Sequence, residues 1–314
     1  RPMKLSYLHR LTLRQVDVFL AVCRHRSYSK AASQLALTQP AVSSQIRSLE
    51  DLIGHALFDY IGKQLYLTPA GELLEQAARD IKQRLVHLEI ELAEMHGQLS
   101  GTLNIAIESS AEYLLPRYIL PFCQKYREAD IVLHVENHQR LMTRLKKNLD
   151  DLAIMTQVPG DRSLNYTPFA EHQLLAVARP DHPLADSQQL SLLDLMEYRL
   201  LQREPGSGTR QIFESFCREN SLLIRHSRQL GSHQAILAAL EMPGENSGEY
   251  AVLPRPLVDE KVHTGALVRL PVSSFPIRRS WCSAYPRGKH LNPLASAFLD
   301  ALHLPTAGLE GTGQ

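Results

Sequence analysis

Thr38-Gln39-Pro40-Ala41-Val42-Ser43-Ser44-Gln45-Ile46-Arg47-Ser48-Leu49-Glu50-Asp51-Leu52-Ile53-Gly54 reads as one helix with two unlike sides. Val42, Ile46, Leu49 and Ile53 recur at helical spacing and would face a core. Thr38 stands at the cap position. Pro40 lies in the first turn, where a missing N–H costs nothing, and Gly54 stops the helix. The other side offers Gln39, Ser43, Ser44 and Arg47. These short polar groups and one guanidinium suit either water or the edges of base pairs.

The preceding residues predict two more short helices. Leu13, Val16, Phe19, Leu20 and Cys23 follow Thr12 as N-cap, and a second helix is expected from near Ser29, with Ala31, Ala32 and Leu35 on its apolar side. Ala36-Leu37 then turns the chain into the third helix. This is a helix-turn-helix pattern, in which the last helix can enter the major groove. Beyond it, Tyr60-Ile61-Gly62-Lys63-Gln64 places a glycine turn between β-prone segments. That reads as a wing, with Lys63 set to touch phosphate or the minor groove.

Pro69 opens a helix without a breaker until Gly97, about 45 Å by its rise per residue. Leu74, Ala78, Ile81, Leu85, Leu88, Leu92, Met95 and Leu99 alternate at steps of four and three. Such a heptad seam favours pairing with a second chain, though packing on its own domain also produces an apolar stripe. A dimer would present two recognition helices to two half-sites.

Charge is split along the chain. Residues 1–70 hold nine Lys/Arg against four acids, net +5, and the remainder 25 against 29, net −4. A basic head on a mildly acidic body fits a phosphate-binding module joined to another domain. Cys23, Cys123, Cys217 and Cys282 show no zinc spacing and suit buried reduced thiols, a redox-sensing thiol being the alternative. No apolar run reaches the ~20 residues of a membrane helix and no signal peptide opens the sequence. A bacterial cytoplasmic protein is expected. Arg1-Pro2 before Met3 is left without assignment.

The stretch Leu13-Arg14-Gln15, Ser29-Lys30-Ala31-Ala32, Thr38-Gln39-Pro40-Ala41-Val42-Ser43, Leu49-Glu50, Leu57-Phe58 and Leu67-Thr68-Pro69-Ala70-Gly71 resembles the LysR-type transcriptional regulators. The similarity runs to about Leu304. Val135-Glu136-Asn137, Asp151-Leu152-Ala153-Ile154-Met155, Pro180-Asp181-His182-Pro183-Leu184, Arg203-Glu204-Pro205-Gly206-Ser207-Gly208-Thr209-Arg210 and Pro276-Ile277-Arg278-Arg279 are closest to the CbbR-like carbon-fixation branch. Many relatives carry an arginine where this chain has Tyr60, so the backbone contact shifts to Lys63. The resemblance implies promoter DNA with interrupted dyad symmetry as partner. It also implies a homodimer or homotetramer, a small-molecule effector, RNA polymerase as a protein partner, and no cofactor.

From Thr102 onward the pattern alternates strand and helix. Leu103, Ile105 and Ile107 form a strand, Tyr113 to Tyr126 a helical stretch, and Ile131–Val135 a strand. Leu141–Asn148 follows as a helix and Leu152–Met155 as a strand. This implies an α/β part with a mainly parallel sheet covered on both faces. Ligands in such sheets lie beyond strand C-termini, where Ser109 and Ser110 fall. Asn137, His138 and Gln139 follow a second strand end, and Ser232, His233 and Gln234 a third. The resemblance adds a periplasmic-binding-protein-like double crossover. The expected domains are 1–68 (winged helix-turn-helix), 69–100 (linker and dimerisation helix), 101–305 (effector binding) and 306–314 (disordered tail). Lobe I would comprise 101–171 and 271–305, and lobe II 172–270, beginning with strand Leu174–Ala178.

Gly206, Ser207, Thr209 and Arg210 lie in a glycine-rich turn lacking the Lys-Ser/Thr ending of a nucleotide-hydrolysing loop. The turn still offers N–H groups, a hydroxyl and guanidinium groups to an anion. In the resemblance it faces Ser109 and Ser110 across the cleft, so a small anionic metabolite is the expected effector. Glu112, where relatives often have Lys, weakens the positive field. Leu240–Tyr250 departs from the relatives' compact glycine turn and predicts an exposed loop. No enzyme motif is present, and the one close histidine pair, His134 and His138, straddles a strand end. A two-lobed solute-binding protein remains the alternative, opposed by the basic helix-turn-helix head.

Overall fold

The computed structural model describes residues 5–158, 160–242 and 248–303. The expected disordered tail, the first four residues and the middle of the loop after Met242 lie outside the described residues. The chain divides into two compact units between Glu89 and Ile90.

The first unit holds α1 (Leu13–His25), α2 (Tyr28–Gln34) and α3 (Gln39–Ile53). The hairpin β1 (Phe58–Ile61) and β2 (Gln64–Leu67) follows, then the start of α4 (Pro69–Met95). Thr12 and Gln15 close a reciprocal capping box at α1, the arrangement that satisfies two otherwise orphaned donors. Helix α2 begins one residue earlier than expected, because the Ser27 hydroxyl accepts from Lys30 N at 3.3 Å. The cap expected from Thr38 does not form through its side chain. The start of α3 rests on Pro40 instead. Val16, Phe19, Val22, Ala31, Ala32, Val42, Ile46, Leu49, Leu57 and Leu65 make one buried core.

Ala78 belongs to that same core and Leu74 packs against it. Two members of the expected dimer seam are thus turned inward on their own domain, since the first turns of α4 must cover the hairpin and α1. Ile81, Leu88, Leu92 and Met95 are exposed and Leu85 is half-buried. The entry to α4 is set by Thr68, whose hydroxyl donates to Ala56 O and accepts from Gly71 N. A Cβ on Gly71 would lie 2.2 Å from the Leu57 carbonyl oxygen, so only glycine fits.

The second unit is a two-lobed α/β body around one nine-stranded sheet, formed by β3 (Gly101–Glu108), β4 (Ala129–Glu136), β5 (Leu152–Thr156), β6 (Leu164–Ala178), β7 (Arg199–Gln202), β8 (Ser227–Gln229), β9 (Glu249–Pro254), β10 (Val268–Arg269) and β11 (Ile277–Pro286). Strand order is β4-β3-β5-β11-β6-β9-β7-β8, with β10 on β6. Pairs β3–β4, β3–β5, β7–β8 and β7–β9 are parallel. β6 and β11 pair antiparallel along ten positions and serve both lobes. The expected second-lobe strand from Leu174 is therefore only the last third of a 15-residue strand. In β11 the register shifts between Trp281 and Cys282, an irregularity of the kind by which bulges re-aim a strand.

Helices cover both faces: α5 (Pro116–Lys125), α6 (His138–Lys146) and α11 (Pro293–His303) in lobe I, and α7 (Leu192–Met196), α8 (Gly208–Glu219), α9 (His233–Glu241) and α10 (Arg255–His263) in lobe II. Alternation sorts the strands between them. Leu103, Ile105, Ile107, Leu152 and Ile154 enter the core with α5 and α11, and Ala106, Ala153 and Met155 enter that with α6. Leu174 and Ala176 face α7 and α8, whereas Leu175 and Val177 face α9 and α10. The helix expected from Tyr113 starts at Pro116, because Ser109–Ala111 form a 3-10 turn first. α6 begins at His138 rather than Leu141, since Asn137 Oδ1 accepts from Arg140 N at 3.0 Å. No described helix is long and apolar enough to cross a membrane.

Candidate functional site

In the first unit, Val42, Ile46 and Leu49 are buried while Thr38, Gln39, Pro40, Ser44 and Arg47 are exposed and Ser43 is half-buried. The outward side of α3 is therefore a continuous polar strip. Arg47 and Lys63 have no ion-pair partner among the described residues. Lys63 sits at the tip of the hairpin, where Ile61 pairs with Gln64 and Gly62 takes a φ of 66°. That left-handed residue is what a two-residue hairpin turn requires. Tyr60 and Ile61 beside it are both about two-thirds exposed.

In the second unit, the cleft lies between the ends of β3 and β4 on one side and the turn entering α8 on the other. Ser110 Oγ and Thr209 Oγ1 are 3.0 Å apart across it, and Thr209 Oγ1 is 3.2 Å from His233 Nε2. Arg203, absent from the expected site, is its centre. Its Nη1 donates to Ser109 Oγ at 3.1 Å and lies 3.2 Å from His233 Nδ1. Its Nε and Nη2 grip the Glu204 carboxylate at 2.8 and 3.0 Å. Asn137 Nδ2, from the other lobe, donates to the same carboxylate at 3.3 Å.

Burial and the adjacent Arg203 guanidinium push His233 down to about 3, so its ring is neutral near pH 7. Arg203 Nη1 is also 3.3 Å from His233 Nε2, so the guanidinium lies against both nitrogens of this neutral ring. Burial likewise brings His172, stacked on Trp281 at 4.4 Å, down to about 4. Burial would raise the Glu204 carboxyl. The bonds from Arg203, its own backbone N–H and Asn137 outweigh that and hold it low.

Gly206 and Gly208 permit two close approaches. A Cβ on Gly206 would meet Gln139 Oε1 at 2.7 Å, and Gln139 N donates to Gly206 O. A Cβ on Gly208 would meet Glu108 Oε2 at 2.4 Å, so the Glu108 carboxylate lies against the first turn of α8. Its Oε1 is 2.6 Å from His138 Nδ1. Ser207 is buried at the cap of α8 without a side-chain capping bond. Arg210 reaches the Arg203 carbonyl at 3.1 Å and pairs with Glu214. Ser109, Ser110, Asn137, Gln139, Gly206, Thr209 and His233 thus gather in one place. Arg203, Glu204 and Glu108 were missed, although a charged pair beside a glycine turn and an acid ending an apolar strand are visible in the sequence. No cluster of three metal-ligating side chains occurs among the described residues.

Residues 13–72 match the family described as bacterial regulatory helix-turn-helix protein, lysR family, and residues 96–304 match the LysR substrate binding domain. The chain belongs to the LysR family. This LysR regulator is 40% identical to the RuBisCO operon transcriptional regulator of Allochromatium vinosum, over 92% of this chain and 94% of that protein. It is 36% identical to the regulator of the same description from Acidithiobacillus ferrooxidans, over 94% of each. Its place in the CbbR-like branch follows from these relatives. Among solved structures, the Synechocystis CcmR regulatory domain in complex with 2-PG is 32% identical, covering 67% of this chain and 99% of that one, with a TM-score of 0.59. CbnR with its target DNA shares the fold, at 17% identity and a TM-score of 0.66 over 93% of this chain and 99% of that one. The family is one of DNA-binding transcription regulators carrying an effector-binding domain. This LysR chain is a regulator and not an enzyme.

Proposed function

We propose that this regulator reads promoter DNA of carbon-fixation genes through Gln39, Ser43, Ser44 and Arg47, with Thr38, Pro40 and Lys63 holding register on the backbone. It senses a small anionic metabolite at Arg203. Residues 1–68 act as the DNA module, 69–100 as the linker and 101–305 as the sensor. Two chains pair along Ile81, Leu85, Leu88, Leu92 and Met95, and such dimers associate into a tetramer that engages RNA polymerase.

One observation carries the effector reading: a buried guanidinium, bonded to Ser109 and His233, is held by a carboxylate from its own loop that Asn137 of the other lobe also bonds. An anion entering the cleft takes the place of Glu204 on Arg203. Closure then differs between the free and bound states, and that difference is what shifts the arrangement of dimers and the bend of the DNA. The relatives named as RuBisCO operon regulators support the target, and 2-PG, named with the CcmR domain, is the first ligand to test. Gel shifts on the DNA upstream of its own gene and of RuBisCO genes, at two salt concentrations and with or without 2-PG, test both parts. Specific binding survives competitor DNA and weakens steeply with salt. Binding without sequence preference sinks the DNA part, and a footprint indifferent to every small anion sinks the sensor part.

A further inference from the structure

A groove between α10 and the sheet of lobe II, about 320 Å³ in volume, carries three arginines that the cleft does not use. Its origin lies in the strand register. Gln173, Leu175 and Val177 point to one side of β6. Arg278 on β11 pairs with Gln173, and Arg269 on β10 pairs with Val177, so both guanidinium groups rise on that side. Helix α10 lays Arg255, Asp259 and Val262 over them at positions i, i+4 and i+7. A sheet face beneath a helix is ordinarily apolar, and here Leu175 and Val262 do belong to the apolar core. At its edge the same seam becomes cationic.

The acids nearby do not neutralise it. Arg255 is held by Asp259 at 3.1 Å and by Gln173 at 3.2 Å, and Arg278 by Glu171 at 2.8 Å. Arg269 has no partner among the described residues. Three guanidinium groups thus face two carboxylates, around a floor of Leu175 and Val262 and a volume within the usual range for small-ligand sites. We propose that this groove is a second ligand site, taking a small dianion whose acidic group sits between Arg269 and Arg278 and whose carbon chain rests on Leu175 and Val262. None of the cleft residues line it. A second ligand there would couple to the first through the shared strands β6 and β11, and by linkage each would alter the affinity of the other.

The test is calorimetric titration of the full chain with succinate and, separately, glutarate. Wild type is compared with Arg269→Gln/Arg278→Gln and with the cleft variants Arg203→Gln and Thr209→Val. Both groove arginines are exposed, so circular dichroism should report an unchanged fold in that variant. At least one probe binds wild type, and the groove variant weakens it by about tenfold or more, the loss expected for charge-assisted bonds. The cleft variants leave that binding within about twofold. The proposal is overturned if neither probe binds wild type, if the groove variant binds as wild type does, or if a cleft variant weakens binding as much as the groove variant.

Discussion

Arg47 on α3 is exposed and carries no ion pair among the described residues, whereas Arg203 is 6% exposed and bonded to Ser109, His233 and Glu204. The polar strip of α3 holds its donors and acceptors toward solvent, ready for a partner that brings its own. The cleft has already satisfied its groups internally, so a ligand must exchange bonds rather than add them. A substitution on α3 should therefore cost binding alone, while one in the cleft should cost stability and binding together.

Acid should separate the two regions most. His172 and His233 are neutral in the fold at about 4 and about 3, against 6.5 when exposed, because burial and the neighbouring Arg279 and Arg203 oppose their charging. Between pH 6.5 and those values the unfolded chain binds protons that the folded one refuses. Stability is unaffected above this window and falls as pH drops through it, by about 1.4 kcal/mol per unit for each ring. At pH 5 the pair together removes about 4 kcal/mol from the second unit. Denaturant melts of the full chain at several pH values measure this. A slope no steeper in wild type than in His233→Gln would refute it.

Arg203→Gln is next. Removing the guanidinium leaves the Glu204 carboxylate half-buried with Asn137 and its own backbone N–H, at a cost of about 2–3 kcal/mol, reduced from a fully buried pair by solvent. Affinity for the proposed anionic effector should fall beyond detection. Glu204→Gln removes the competing charge instead, so affinity should rise by about tenfold. Equal affinities in the two variants would show that the ligand does not use Arg203.

The contrast also explains what was readable in the sequence. α3, its Pro40 entry and its Gly54 stop are local, set by neighbours within a few residues, and the 3.6-residue pattern exposes them directly. Arg203 meets Ser109 from 94 positions away, and no periodicity records that meeting. The long β6–β11 pair was invisible for the same reason: only Leu174–Ala178 reads as a strand, and its partner on β11 lies a hundred positions away. On α4 the failure is of another kind. An apolar stripe has the same spacing whether it covers its own domain, as Leu74 and Ala78 do, or a second chain.

Arg47→Ala should weaken specific promoter binding by about 1–3 kcal/mol and relax preference at one base position, leaving effector affinity and thermal stability unchanged. Titration of matched and mismatched operators by fluorescence anisotropy reads both effects. A drop in melting temperature comparable to that of Arg203→Gln would erase the distinction between the two arginines.

Lys63→Ala sharpens the comparison within the DNA-binding unit itself. The ammonium stands exposed at the tip of a two-residue turn with Gly62 beside it, a point charge suited to a phosphate rather than to the paired donors and acceptors of one base edge. Its loss should therefore weaken matched and mismatched DNA alike, by a few-fold, and lower the slope of log affinity against log salt by about one. The side chain has no partner among the described residues, so melting temperature should stay the same. Arg47 and Lys63 then part in a way no single affinity reveals: one alters which sequence is preferred, the other only how strongly any sequence is held. A salt slope equal to that of wild type would move the hairpin tip off the backbone and leave Tyr60 and Ile61, the exposed apolar residues beside it, as what the wing presents.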